Sequence, residues 1–201
     1  EFGLKQINLE DREFTQFQSW LYGAAGIHLS PMKKALVAGR LFKRLQFHEL
    51  ESYGAYFKMI MGKENPDELQ FALDLLTTNE TYFFREPKHF EFLRERVLPF
   101  ASPGKTFRVW SAASSSGEEP YSLAMTLAEH LRSTPWEVIG SDISTQVLAK
   151  ARNGHYSMER ANRLPLPLLS RYCLKGIGQQ EGTFLIDKTL RHRVSFVQVN
   201  L

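Results

Sequence analysis

The sequence predicts an α + α/β chain: a small N-terminal helical domain, then an α/β domain on a parallel sheet that carries an inserted antiparallel subdomain. Three observations predict it. Residues 1–76 show helical apolar spacing with helix-start signals and no alternating runs. Thr106–Tyr121, TFRVWSAASSSGEEPY, then compresses a strand, a turn of small residues and a helix start into one stretch. A second strand over Trp136–Ser141 ends in an acidic residue, Asp142, as in the nucleotide-binding half of a Rossmann-like sheet. The domains read as 1–76 helical, 77–100 linker and helix, and 101–201 Rossmann-like, with the β-subdomain inserted at about 164–192.

In the helical domain, the first helix is expected over Glu10–Ala24, with Phe14, Phe17 and Leu21 on one face and Gly26 closing it. Ser30 and Pro31 supply an N-cap and first helical position for the second. Third and fourth helices are expected over Ser52–Met61 and from Pro66 to Leu76. At 100° per residue, Lys33, Arg40 and Arg44 of the second helix lie within about 20° of one line, with Ala38, Leu41, Phe42 and Leu45 on another face. No Asp or Glu occurs between Glu13 and Glu49, so this cationic stripe has no i,i+4 acidic partner on its own helix. It reads either as a solvated face or as a surface for an acidic partner.

The segment Thr77–Arg85, TTNETYFFR, joins the domains. Tyr82, Phe83 and Phe84 fit a buried joint, and Arg85 could clamp a carboxylate with its guanidinium fork. Pro87 opens a helix with Phe90, Leu93, Val97 and Leu98 facing inward, ending near Pro99. The first strand, Phe107–Ser111, the helix Pro120–His130, the second strand and a helix Thr145–Arg152 capped by Ser144 follow in βαβα order, which implies right-handed crossovers. Leu164–Pro167 starts a short helix or turn. Arg171–Lys175 and Thr183–Ile186 flank GIGQQEG and read as a β-hairpin, with Cys173 packed inside it. Arg193–Leu201 is the third parallel strand.

The turn after the first strand has one glycine and is followed by Glu118 and Glu119. Two carboxylates at a helix start oppose a pyrophosphate, which needs bare N–H groups. They suit a ligand with a ribose and a positive charge but no phosphates, and S-adenosylmethionine is such a ligand. The alternative is that both simply favour the helix dipole. Asp142 strengthens the ligand reading, because a carboxylate there can accept both ribose hydroxyl protons.

Composition narrows the classes further. The 201 residues are 43% hydrophobic and 23% charged, an ordinary globular balance. A net charge of +3 does not argue nucleic-acid binding, and no apolar run is long enough to span a membrane. One cysteine and six scattered histidines give no disulfide framework and no metal-ligand spacing. The absence of a visible secretory signal fits a cytoplasmic setting.

RVWSAASSSGEEPYSLA, with TTNETYFFRE upstream and SDIS downstream, resembles the CheR family of chemotaxis receptor methyltransferases. The resemblance covers essentially the whole chain. It implies methylation of glutamates on chemoreceptor cytoplasmic helices, with S-adenosyl-L-methionine as cofactor and S-adenosyl-L-homocysteine as product. It assigns cofactor contacts to Asn79, Thr81, Arg85, Ala113, Glu119, Asp142, Asn200 and Leu201, and receptor recognition to Lys33, Arg40, Lys43 and Arg44. In some members the β-subdomain holds a C-terminal peptide of the receptor as an added strand. The resemblance implies no general base, no metal, no nucleic acid and no membrane insertion, and leaves the oligomeric state open.

The family continues for several strands past the position of Leu201, including an Arg-Asn pair at the cofactor, so this chain is expected to carry one side of the ligand crevice. Two other readings remain. One is a cofactor-binding or receptor-docking module without turnover. The other is a methyltransferase acting on nucleic acid through the basic helix, which steep salt dependence would reveal.

Overall fold

In a computed structural model that describes residues 7–77 and 80–201, the chain divides into two units, one within Glu1–Thr78 together with Leu201, the other within Asn79–Asn200. The first unit contains α1 (Asp11–Ala25), α2 (Lys34–Phe47), α3 (Tyr53–Met61) and α4 (Pro66–Leu76). The apolar stripes meet in one core of Phe17, Leu21, Val37, Leu41, Leu45, Tyr56, Ile60 and Leu76, all essentially without solvent contact. Each such side chain contributes about 1.5–3 kcal/mol of transfer free energy. Glu13 ties two helices together: it accepts the Glu10 N–H at 2.9 Å and the Gly54 N–H, at the start of α3, at 2.6 Å. Pro31–Lys33 is a 3₁₀ turn, closed by the Lys33 N–H onto Ser30 C=O at 2.9 Å, so the α-helix proper starts at Lys34.

The second unit opens with α5 (Pro87–Phe92), which does not continue as one α-helix to Pro99. Leu93–Val97 widens into a π-helix and Leu98–Phe100 tightens into a 3₁₀ turn, because Pro99 lacks the N–H that would extend the α ladder. Then come β1 (Phe107–Ala112), α6 (Glu118–His130), β2 (Trp136–Asp142) and α7 (Thr145–Asn153). These are followed by β3 (His155–Ser157), α8 (Leu166–Tyr172), β4 (Cys173–Lys175), β5 (Thr183–Ile186), α9 (Lys188–Arg191) and β6 (Val194–Gln198). The main sheet is parallel, in the order β1-β2-β6. Its central strand β2 is covered on both faces, which is why WEVIGSD reads as a nearly continuous buried run instead of an alternation. Gly140 in β2 admits the neighbouring strand: a Cβ there would stand 2.7 Å from the Phe196 ring and 3.0 Å from Ser114 Oγ.

The antiparallel part is a three-stranded sheet in the order β3-β5-β4, not a two-stranded hairpin. Its extra strand, His155–Ser157, comes before the expected start at residue 164. Arg171 and Tyr172, expected in a strand, finish α8, so β4 keeps only Cys173–Lys175. This sheet is anchored in the main core through Tyr156, Phe184 and Ile186, which pack with Phe83, Tyr121 and Val138. Cys173 is half-buried within it; burial, with Asp187 nearby, pushes its thiol up to about 12 and leaves it an inert packing group.

Candidate cofactor site

The turn between β1 and α6 is built from left-handed residues. Ala113 has φ 55°, Ser115 φ 49° and Gly117 φ 96°. Two of these are not glycine, so each costs of order 1 kcal/mol and must be held by its surroundings. The Ser114 N–H donates to Ser141 C=O at 2.7 Å, stitching the turn to the end of β2. The Ser115 N–H donates to Asp142 Oδ2 at 2.9 Å, and the Ser144 N–H to Asp142 Oδ1 at 3.0 Å. Gly117 closes the turn where a side chain would not fit, because a Cβ would meet the Tyr156 hydroxyl at 2.9 Å and Ala151 Cβ at 3.0 Å.

Asp142 is therefore fixed from both sides by backbone donors, yet a carboxylate has about four acceptor sites and two are taken among the described residues. Val199 N–H bonds Asp142 C=O at 3.0 Å, which brings the chain just before Asn200 alongside the same residue. Glu119 is half-buried and accepts the Ser111 hydroxyl at 2.7 Å, and Ala112 and Ala113 remain exposed. Glu118 behaves differently. It is fully buried, accepts the Ser116 hydroxyl at 2.6 Å and pairs with Arg160 at 3.2 Å, so it is turned into the protein and away from any ligand. Burial pushes its carboxyl above the ordinary range, against the pull of Ser116 and Arg160. Of the two carboxylates read together in the sequence, only Glu119 is placed to face a ligand.

The upstream segment approaches this turn through its backbone. The Phe84 N–H donates to Ser122 Oγ in the first turns of α6 at 3.0 Å, and Thr81 C=O accepts from Arg160 at 3.1 Å. Arg85 is exposed and donates to Glu80 C=O at 3.0 Å. Asn79 lies outside the described residues, and Leu201 is exposed and grouped with the first unit. The structure thus brings Ala113, Glu119, Asp142 and the chain leading to Asn200 to the C-terminal ends of β1, β2 and β6, where ligands of open α/β sheets bind.

S-adenosyl-L-methionine fits this arrangement on two grounds. Ser114 Oγ and Ser115 Oγ are buried with no hydrogen-bond partner among the described residues, and both belong to the turn beside Asp142. The turn also carries small, exposed Ala112 and Ala113, which allow close approach of a ligand.

In the helical unit, the three cations of the stripe and Lys43 beside them divide into two kinds. Lys33 and Lys43 are exposed. Arg40 donates to the carbonyls of Leu75 and Thr77 at 3.1 and 3.2 Å, closing the end of α4. Arg44 forks onto both oxygens of Glu68, with Nε to Oε1 at 2.8 Å, and its guanidinium lies 4.4 Å from the Phe47 ring and 4.2 Å from the Phe71 ring. The stripe has no acidic partner on its own helix, as its sequence reads; Arg44 instead finds one on α4, 24 residues away. Tyr56 also donates to Glu68 Oε1 at 2.7 Å, and His48 Nε2 lies 3.1 Å from Oε2. Burial alone would raise the Glu68 carboxyl, but hydrogen bonds from Arg44, Tyr56 and His48 outweigh it and hold it at about 2.

Tyr156 and Arg160, both engaged at the cofactor turn, were invisible in the sequence. They lie 40 and 42 residues from their partners and belong to no motif.

Comparison with known proteins bears on both units. Residues 12–77 match a family described as CheR methyltransferase, all-alpha domain, and residues 79–201 match CheR methyltransferase, SAM binding domain. A chemotaxis protein methyltransferase of Salmonella typhimurium is 41% identical over 98% of this chain and 68% of its own length. Chemotaxis protein methyltransferase 2 of Pseudomonas aeruginosa is 40% identical over 100% and 71%, and the Escherichia coli chemotaxis protein methyltransferase 39% over 98% and 68%.

Proposed function

This chain belongs to the CheR methyltransferase family, an S-adenosyl-L-methionine-dependent methyltransferase of chemotaxis that esterifies chemoreceptor glutamates, and from that premise we propose how its residues divide the work. Asp142 accepts from the ribose hydroxyls with its free acceptor sites. Ser114 and Ser115 offer their unpartnered hydroxyls to the polar parts of the cofactor, and Ala113 lets it approach the turn. Glu119 stands nearest the positive end of the ligand, Thr81 and Arg85 with Asn79 hold its methionine end, and Asn200 and Leu201 border its adenine. The observation that carries this assignment is the pairing of two buried, unsatisfied serine hydroxyls with a rigidly held carboxylate on one strained turn.

When bound, the cofactor supplies a methyl group on a sulfonium. Its transfer breaks the sulfur–carbon bond and forms an oxygen–carbon bond on the acceptor glutamate. No proton moves, because a glutamate carboxylate is already ionised near neutral pH. The protein therefore needs no general base; its tasks are to align the acceptor oxygen behind the methyl carbon and to keep water out.

Recognition of the acidic receptor helices falls to Lys33 and Lys43, which are exposed, while Arg40 and Arg44 shape the helix that presents them. A receptor C-terminal peptide is assigned to the outer edge of β4, an edge strand of its sheet, where Leu174 stands exposed with Ile177 just beyond the strand. No described helix is long and apolar enough to cross a membrane. Action on the cytoplasmic helices of a receptor supports a cytoplasmic location.

Calorimetric titration with S-adenosyl-L-homocysteine tests the assignment. The unaltered chain is expected to bind one equivalent. Asp142→Ala is expected to weaken binding roughly 30–100-fold, since it removes the ribose acceptor and frees the two N–H groups that set the turn. Unchanged affinity in a folded Asp142→Ala variant would remove Asp142 from the ribose role.

A further inference from the structure

The antiparallel sheet reaches under the cofactor turn as well as offering an edge. Tyr156, the middle residue of β3, donates its hydroxyl to Ser116 C=O at 2.6 Å, at the underside of the strained turn. Four residues on, in the 3₁₀ stretch Met158–Arg163, one nitrogen of Arg160 donates both to Glu118 Oε1 at 3.2 Å and to Thr81 C=O at 3.1 Å. One short stretch outside the cofactor motifs thus grips two segments that the proposed site requires, the 113–117 turn and the chain around Thr81.

We propose that Tyr156 and Arg160 are positioning residues for the cofactor, bracing the β1–α6 turn and the Thr81 segment in the arrangement that S-adenosyl-L-methionine needs. This rests on the assignment of the cofactor to that turn. The physical case has three parts. The turn holds two non-glycine residues in left-handed backbone, so it keeps its shape only where its surroundings over-determine it. Donors aimed at Ser116 C=O and Glu118 supply part of that constraint from outside the turn. Arg160 is also the one salt-bridge partner of Glu118 among the described residues, so its loss leaves a buried acid at the start of α6 with a weaker hold on its position.

The two residues can be separated from the general stability of the domain. The side chain of Arg160 is 47% exposed but that of Glu118 only 1%, so Arg160→Met is expected to lower the melting temperature too, and the readout that separates a brace from stability is the split between KM and kcat. The ring of Tyr156 packs on Phe83, Tyr121 and Phe184, and only its hydroxyl reaches the turn. Arg160→Met keeps most of the side-chain bulk and removes the donors; Tyr156→Phe keeps the ring and removes the hydroxyl.

The experiment titrates S-adenosyl-L-homocysteine into the unaltered protein, Arg160→Met, Arg160→Lys and Tyr156→Phe, and measures receptor methylation at varied cofactor concentration. Arg160→Met and Tyr156→Phe are each expected to weaken binding about 5–10-fold and to raise KM for the cofactor in parallel, with kcat changed less than about twofold. Arg160→Lys, which keeps a charged donor, is expected to recover at least half of the loss on a logarithmic scale. A merely structural residue would lower the melting temperature without this split between KM and kcat. Equal affinity in the unaltered protein and Arg160→Met, or a fall in kcat at constant KM, would overturn the brace alone. Failure of the unaltered, folded protein to bind would overturn the cofactor assignment and the brace with it.

Discussion

Each unit of this chain buries a glutamate against an arginine from another element, and the two pairs are put to opposite uses. Glu68 in the helical unit is met by three donors, Arg44, Tyr56 and His48, and its carboxyl is held at about 2. Glu118 in the sheet unit is more deeply buried; the Ser116 hydroxyl, its own backbone N–H and one side of a half-exposed arginine pull against that, but burial wins, so its carboxyl is raised. A fully satisfied buried charge fixes a structure; a partly satisfied one stores cost at the place where it sits. Glu68 lies between helices that build a scaffold. Glu118 lies in the first turn of α6, directly beneath the proposed cofactor turn. The difference teaches that the same residue pair cannot be assigned a role from its chemistry alone: the balance between burial and the donors around the acid decides whether it acts as a rivet or as part of a site.

The largest effect should come from breaking the rivet. Arg44→Ala would leave Glu68 buried with Tyr56 and His48 only, and should cost about 3 kcal/mol of stability in the helical unit. Urea unfolding followed through Trp20 of α1, in a background with Trp110 and Trp136 changed to Phe, measures it. If the midpoint does not move while receptor KM rises, Arg44 is a docking cation and the comparison collapses. Lys43→Glu is the counterpart: it should leave the midpoint in place and raise receptor KM several-fold in a salt-dependent way.

Acid should separate the two glutamates next. The folded pKa of Glu68 lies below the ordinary 4.5, so the unfolded chain binds the proton first as pH falls. Its stabilising contribution is complete above about pH 5 and is lost progressively towards pH 2, amounting to roughly 3 kcal/mol. Glu118 has the opposite sign. Its folded pKa is raised, so the folded state takes up the proton first, and lowering the pH towards 4.5 relieves its burial. The Trp20 signal should therefore lose stability on acidification, and substitution of Glu68 by Gln should remove most of that slope.

How much of this the sequence could reveal follows the range of the interaction. The strand, turn and helix of 106–121, the helix starts at Pro66 and Pro87, and the cap at Ser144 were legible because each depends on neighbours a few residues away. Strand β3 was not: three residues carry too little alternation to separate from a loop, and its pairing partner is β5, nearly thirty residues on. The helical wheel placed Arg40 and Arg44 correctly on the polar face of α2. It could not tell that α4 covers that face, because a wheel records direction and not what lies there. For the same reason Glu118 and Glu119 looked equivalent in sequence, although their successive positions on α6 send one inward to Arg160 and the other towards Ser111.

Among the buried groups, the smallest predicted change in stability belongs to Glu118→Gln, and it is the most discriminating. The amide oxygen keeps an acceptor for Arg160, its NH2 faces the Ser116 hydroxyl, which can accept instead of donate, and the buried charge is removed. If the charge is a cost carried by the fold, the variant should be as stable as the parent or more stable by about 0.5–1 kcal/mol near neutral pH. The same substitution at Glu68 should destabilise, because there three donors are matched to an ionised acceptor. Cofactor affinity gives the second readout. A neutral acceptor holds Arg160 less firmly, so binding of S-adenosyl-L-homocysteine should weaken about two- to fivefold even as the protein becomes harder to unfold. Denaturant midpoints and calorimetric affinities on the same sample test both. A fall in stability matching that of the Glu68 variant would mean that Glu118 is a second rivet, and that the contrast between the two units lies only in burial.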